Sequence, residues 1–148
     1  MKIIHIEQPT FDEQVFALFV EGYNIHYNAR KDKYINRNLD NLKEIFLATL
    51  ESTELVYALD KDDNVLGYLL FQYKTKVSKT LYIDEIIVNQ NFRNTGVGKS
   101  LIEKTEEIAK QNNCYSIELC CWNFNHNAFD FYKHLNFLEQ RTIFEKKI

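Results

Sequence analysis

The chain has 148 residues, 45% of them hydrophobic and 14% aromatic, and a formal net charge of −3. That length suits one packed domain over residues 1–148 and leaves too little chain for two, and the composition is far from the polar, charge-rich balance of disordered segments. Lys and Arg are spread along the chain, so no basic field exists to hold nucleic acid, and no apolar run approaches the ~20 residues that span a membrane. The opening "MKIIHIEQ" lacks the apolar core and cleavage site of a secretion signal, so a cytoplasmic protein is expected. Cys114 stands alone, and the adjacent Cys120 and Cys121 form no C-x-x-C pair, so all three are expected reduced and mostly buried.

In chain order, "KIIHIE" at 2–7 reads as a first strand, stopped by Pro9 and Thr10. Phe11, Val15, Leu18, Phe19 and Gly22 then recur at helical spacing behind a Thr10 cap, which predicts an amphipathic helix to about Tyr27. The polar stretch that follows reads as loop, and Leu42, Phe46 and Leu50 mark a second helix over 39–50. From Glu54 the period shortens. "ELVYALD" and "VLGYLLFQYKTK" are β-rich runs around the turn residues "KDDN", and "TLYIDEIIV" is the next strand. Val97, Leu101, Thr105, Ile108 and Ala109 share one helix face. "YSIELCCW" is a strand, Ala128, Phe131, Tyr132 and Leu135 form a short helical stripe, and "FLEQRTIFEKKI" reads as a last strand. A strand, loop, helix and strand over 80–121 imply a parallel pair inside a sheet that also holds antiparallel hairpins. The class is mixed α/β.

The loop "RNTGVGKS" at 93–100 ends like a nucleotide-binding phosphate loop, which requires Gly-x-x-x-x-Gly-Lys-Ser, but Arg93 stands where the first glycine belongs. The dinucleotide fingerprint also fails, since its third glycine position is Leu101. What remains is Arg93-x-x-Gly96-x-Gly98 at a strand-to-helix turn. Small residues let the backbone approach an anion, and the free N–H groups and dipole of a helix start attract it. The glycines also suit a plain turn.

Residues 81–100, "LYIDEIIVNQNFRNTGVGKS", and 125–137, "NHNAFDFYKHLNF", resemble the acetyl-CoA signatures of the GNAT superfamily of N-acetyltransferases. The second stretch matches at Asn125, Ala128, Phe131, Tyr132 and Phe137, with Asn136 in place of a glycine. Asn is the residue that best tolerates the left-handed backbone of a helix C-cap after Gly. The resemblance implies the acyl-CoA N-acyltransferase fold, with a mostly antiparallel sheet and a parallel central pair, and acetyl-CoA as co-substrate. Ile86, Ile87 and Val88 would then offer main-chain bonds to the pantetheine arm. Arg93, Asn94, Thr95, Gly96, Val97, Gly98 and Lys99 would hold the pyrophosphate, and Asn125 and Ala128 would flank the cofactor.

Acetyl transfer to an amine needs a neutral nucleophile and a proton for the departing thiolate. Tyr132 stands at the family's general-acid position. Asp84 and Glu85 are acids inside a strand, which is costly unless they are hydrated or employed, and strand alternation would send them to opposite faces. "LYIDEIIV" and the stretch from Cys120 to Leu135 are also similar to the spermidine/spermine acetyltransferase branch, where the Asp84 position is an acid. This favours Asp84 acting through water, with Glu85 second. His26 and Glu118 are further substrate-side candidates. The histidines have no metal-ligand spacing, and no metal is expected. A small primary amine is the preferred acceptor, such as a polyamine or an amino-acid-like amine. A peptide or protein acetyltransferase and a non-catalytic CoA-binding module are the alternatives. Family members often pair through their later strands, and "RTIFEKKI" offers such an edge for a homodimer, although a charged end also protects an edge from pairing.

Overall fold

The computed structural model describes residues 1–148. Its elements are β1 (Lys2–Ile6), α1 (Glu13–Ala29), α2 (Leu39–Glu51), β2 (Glu54–Leu59), β3 (Val65–Thr75), β4 (Lys79–Val88), a 3-10 turn (Gln90–Phe92), α3 (Val97–Gln111), β5 (Ser116–Leu119) and α4 (His126–His134). The five strands lie in sequence order in one sheet, antiparallel from β1 to β4 and parallel between β4 and β5.

Helices cover both faces. Alternate residues of β3 serve each layer: Leu69 and Phe71 pack with Leu81, Leu101 and Ile102 on the α3 side, whereas Tyr68 and Leu70 pack with Phe19, Leu42 and Phe46 under α1 and α2. A strand buried on both faces reads as a continuous apolar run, which is how "VLGYLLF" appears in the sequence.

Four expectations change. Helix α1 is capped by Asp12, whose Oδ1 accepts the N–H groups of Gln14 and Val15 at 2.8 and 3.0 Å, so Thr10 lies outside the helix. The C-terminal stretch forms no strand: Leu138, Ile143 and Phe144 are 80–93% exposed. An isolated strand gains nothing from its propensity without a paired neighbour. The tail is tethered by charge, with Glu145 accepting from Arg30 at 2.7 Å and Lys33 at 2.6 Å, and Lys147 beside Asp32 at 2.9 Å. With no strand beyond β5, the parallel pair stands at the end of the sheet, not in its centre. All three cysteines are free, but Cys120 is exposed and accepts the Tyr82 hydroxyl at 3.2 Å. No helix is long and apolar enough to cross a membrane.

Candidate active site

Pairing between β4 and β5 stops at Ile83 and Leu119, yet β4 continues to Val88. Beyond Ile83 its β5-facing edge has no strand partner. Below the split lies a cleft of about 270 Å³, lined by Asp84 to Ile87 on one side, Leu119 to Trp122 on the other, and Asn125, Ala128 and Tyr132 from the α4 end.

The register of β3 and β4 shifts here: Leu70 opposes Glu85 and Phe71 opposes Ile83, which leaves Asp84 as the extra residue of a β-bulge. The bulge reverses the alternation. Leu81 and Ile83 join the α3 layer before it, and Ile86 and Val88 join that same layer after it. Asp84 accepts from Gln72 Nε2 at 2.8 and 3.1 Å, and Glu85 Oε2 accepts from the Tyr68 hydroxyl at 3.0 Å. Tyr68 and Gln72, four residues apart on β3, share the α1 and α2 face. Both carboxylates therefore lie on one face and line one cleft, which corrects the expectation of opposite faces. Their environments differ. Asp84 is exposed. Glu85 is half-buried, and desolvation pushes its carboxyl up to about 7 against the opposing pull of the Tyr68 hydrogen bond.

Tyr132 is fixed by the way α4 ends. Phe137 N–H donates to the Tyr132 carbonyl and Asn136 N–H to the Lys133 carbonyl, both at 3.0 Å, which is a Schellman closure. Asn136 takes the left-handed φ of 64° that this closure needs, and the Phe137 ring packs edge-on against Tyr132 at 5.6 Å. The Tyr132 hydroxyl has no partner within the chain and lines the cleft. Burial, then nearby Cys121, raises its pKa far above the ordinary phenol value. At the other end of α4, the Asn125 side chain accepts the Ala128 N–H at 3.3 Å as the helix cap.

In the glycine loop, Asn94 and Gly96 have φ of 61° and 92°. Helix α3 has no side-chain cap, and no N–H from Asn94 to Lys99 donates within the chain. A row of unpaired donors at a helix start fits an anionic group. Gly98 is needed for space, since a Cβ there would meet the Phe131 ring at 3.0 Å. Arg93 braces the loop: its Nε donates to the Val88 carbonyl at 3.3 Å, and its Nη2 lies 3.6 Å from Glu21. Lys99 stands 3.7 Å from Glu103.

His26 lines the cleft, with Nδ1 bonded to the Gly22 carbonyl at 2.8 Å. Glu118 does not; it accepts from Gln140 at 3.0 Å, away from the cleft lining. Trp122, Tyr34 and Tyr23 join the site although the sequence did not single them out. Trp122 Nε1 donates to the Tyr34 hydroxyl at 3.1 Å, and the Tyr23 hydroxyl donates to the Ile35 carbonyl at 2.6 Å, so loop 30–38 is folded onto the cleft mouth. The chain's single Trp, just after a strand and three residues before Asn125, was the available signal.

Among known proteins, the chain is 34% identical over 73 residues to a thialysine N-epsilon-acetyltransferase of Bos taurus, covering 48% of this chain and 43% of that one. It thus spans about two-fifths of the length of that curated relative. Among solved structures it resembles the tetramutant of the BH1408 protein from Bacillus halodurans, with TM-score 0.86 and 22% identity over the whole of both chains. It also resembles the ribosomal-protein-alanine N-acetyltransferase of Brucella melitensis, with TM-score 0.74 and 17% identity over the whole of both chains. At those identities the likeness is one of fold. The sequence pattern of the Acetyltransferase (GNAT) family matches residues 13–137, and the chain belongs to that family.

Proposed function

We propose that the protein transfers an acetyl group from acetyl-CoA to a primary amine of a small acceptor of the polyamine or amino-acid-like kind. The observation that carries this reading is the release of β4 from β5 after Ile83, which opens a strand edge between two carboxylates and Tyr132. Acetyl-CoA, when bound, supplies the acetyl group as an activated thioester. Ile86 and Ile87 of the open edge and the free N–H groups from Asn94 to Lys99 are the groups suited to hold it, while Arg93 and Val88 brace the loop. The bovine relative's name supports an amino-group acceptor.

An amine arrives at neutral pH mostly as an ammonium ion and must lose a proton before it can attack. Glu85, with a carboxyl near 7, is matched to that task, because a base works best when its pKa is close to the working pH. Its Oε1 accepts nothing from the chain, so it is free to receive the proton directly or through one water. Asp84, exposed beside it, attracts the cation and orients it. This reverses the order of the two acids favoured from the sequence, because the bulge brings both to the cleft and only Glu85 is desolvated. Tyr132, held as a neutral phenol, donates its proton toward the departing sulfur.

The test is release of free thiol from acetyl-CoA across a panel of amines, peptides and aminoglycosides. Saturable release with at least one small amine is expected. Tight CoA binding with no release for any acceptor would instead identify a non-catalytic CoA-binding module.

A further inference from the structure

Among the buried residues of the α1 and α2 layer, Tyr68 alone is polar; the others are Val, Leu and Phe. A Phe would fill the same space with no polar atom to satisfy. The Tyr68 hydroxyl donates to Glu85 Oε2 at 3.0 Å and makes no other bond within the chain. The bulge at Asp84 creates this pair. Phe71 opposes Ile83, so an unbroken register would set Asp84 opposite Leu70 and turn Glu85 toward the α3 side. The extra residue sets Glu85 opposite Leu70 instead, with Tyr68 as its diagonal neighbour on the same face.

This contact fixes which oxygen of the acid can work. A phenol has one proton to donate, and no second acceptor competes for it here, so Oε2 stays engaged and Oε1 is the oxygen left to bind an incoming proton. Desolvation favours the neutral acid, the Tyr68 bond opposes it, and the charge of Asp84 adds to it. Other titratable groups reach the same cleft: Asp84 from β4, Tyr23 and His26 from α1, Tyr34 from the loop after α1, Cys120 and Cys121 after β5, and Tyr132 from α4. None of them hydrogen-bonds to Glu85, whose one donor is Tyr68.

We propose that Tyr68 is a positioning residue for acetyl transfer: it holds Glu85 by Oε2 so that Oε1 takes the proton of the incoming ammonium group. The inference rests on Glu85 acting as the base and extends that role to a residue buried outside the cleft lining. In the step, the N–H bond breaks with its electron pair left on nitrogen, and the proton forms an O–H bond at Oε1. The proton then passes to water at the open cleft before the next turnover. Without the Tyr68 hydroxyl the ionised carboxylate loses its one donor, and Glu85 becomes a working base only at higher pH.

Tyr68→Phe tests this through pH dependence. With one small amine as acceptor, the ratio of variant to wild-type kcat/KM cancels the acceptor's own titration and that of the groups common to both proteins. Loss of a hydrogen bond to a charged group raises the Glu85 midpoint by about one pH unit, so the ratio should fall about fivefold at pH 7 and recover by pH 9. A merely structural role would lower the ratio equally at every pH. A ring-fluorinated tyrosine at position 68, a stronger donor of nearly the same shape, should move the midpoint the opposite way, which keeps the test independent of how well Tyr68→Phe folds. Titration of the Glu85 carboxyl by carbon-13 NMR, with Glu85→Gln to assign its signal, gives a readout apart from turnover. A carboxyl midpoint that neither change at Tyr68 moves would overturn the inference and leave Glu85 as the base. A midpoint that moves while the kinetic ratio stays flat with pH would overturn the role of Glu85 as base, and the positioning role with it.

Discussion

Glu85, the base we propose, departs from what stability alone would select. Its carboxyl is half-buried, accepts a single hydrogen bond from the chain, and is pushed up to about 7 by desolvation. The sign of the linkage follows from that raised value. The folded protein holds the proton more tightly than the unfolded chain, so stability declines as pH rises from about 4.5 to about 7 and stays lower above it. Glu85→Gln should therefore stabilise the protein at pH 8, by at most about 3 kcal/mol, and much less at pH 4.5. Urea melts at the two pH values check this. The same variant should flatten the rise of kcat/KM with pH through 7. Tyr132→Phe keeps the packing against Phe137 and removes only the donor, so kcat should fall ~100-fold or more with acetyl-CoA affinity unchanged. Normal turnover in that variant would refute the role of the phenol.

At the scale of elements, two helix ends set the geometry of the site. The closure of α4 needs Asn136 in the left-handed region, where a β-branched residue costs roughly 1 to 2 kcal/mol. Asn136→Gly should preserve or raise thermal stability and activity. Asn136→Val should lower both, because it loosens the turn that seats Tyr132, and parallel melting curves and rate measurements distinguish the two variants. The start of α3 depends on Gly96, whose φ of 92° disfavours any side chain even though the space around it is open. Gly96→Val should raise the KM for acetyl-CoA at least tenfold while leaving the fold intact by circular dichroism. Sequence alone located both ends, since Gly and Asn are residues with a stated backbone purpose. It misread the start of α1 because Thr10 and Asp12 are both capping types, and only the hydrogen bonds to Gln14 and Val15 choose between them.

For the whole molecule, one sheet separates two apolar layers, and the α1 and α2 layer centres on Phe46. That residue is fully buried and its ring lies 5.1 to 6.1 Å from the rings of Phe11, Phe16 and Phe19. Phe46→Ala should cost about 3 to 5 kcal/mol, a fall in Tm on the order of 10 °C, through the cavity it leaves. Because α1 also carries Tyr23 and His26 to the cleft, activity should decline below the melting temperature as well. The sequence by itself determined the α/β class, the chain order of the helices and of the first five strands, the anion-fitting loop and the family, since periodicity and turn residues act over short separations. Only the tertiary structure decided which groups meet. The bulge at Asp84 turns two acids to one face, loop 30–38 brings Tyr34 onto Trp122, and the tail is held by Glu145 instead of a strand. Each depends on register, or on contacts between residues far apart in the chain, and a pattern read along the sequence carries no term for either.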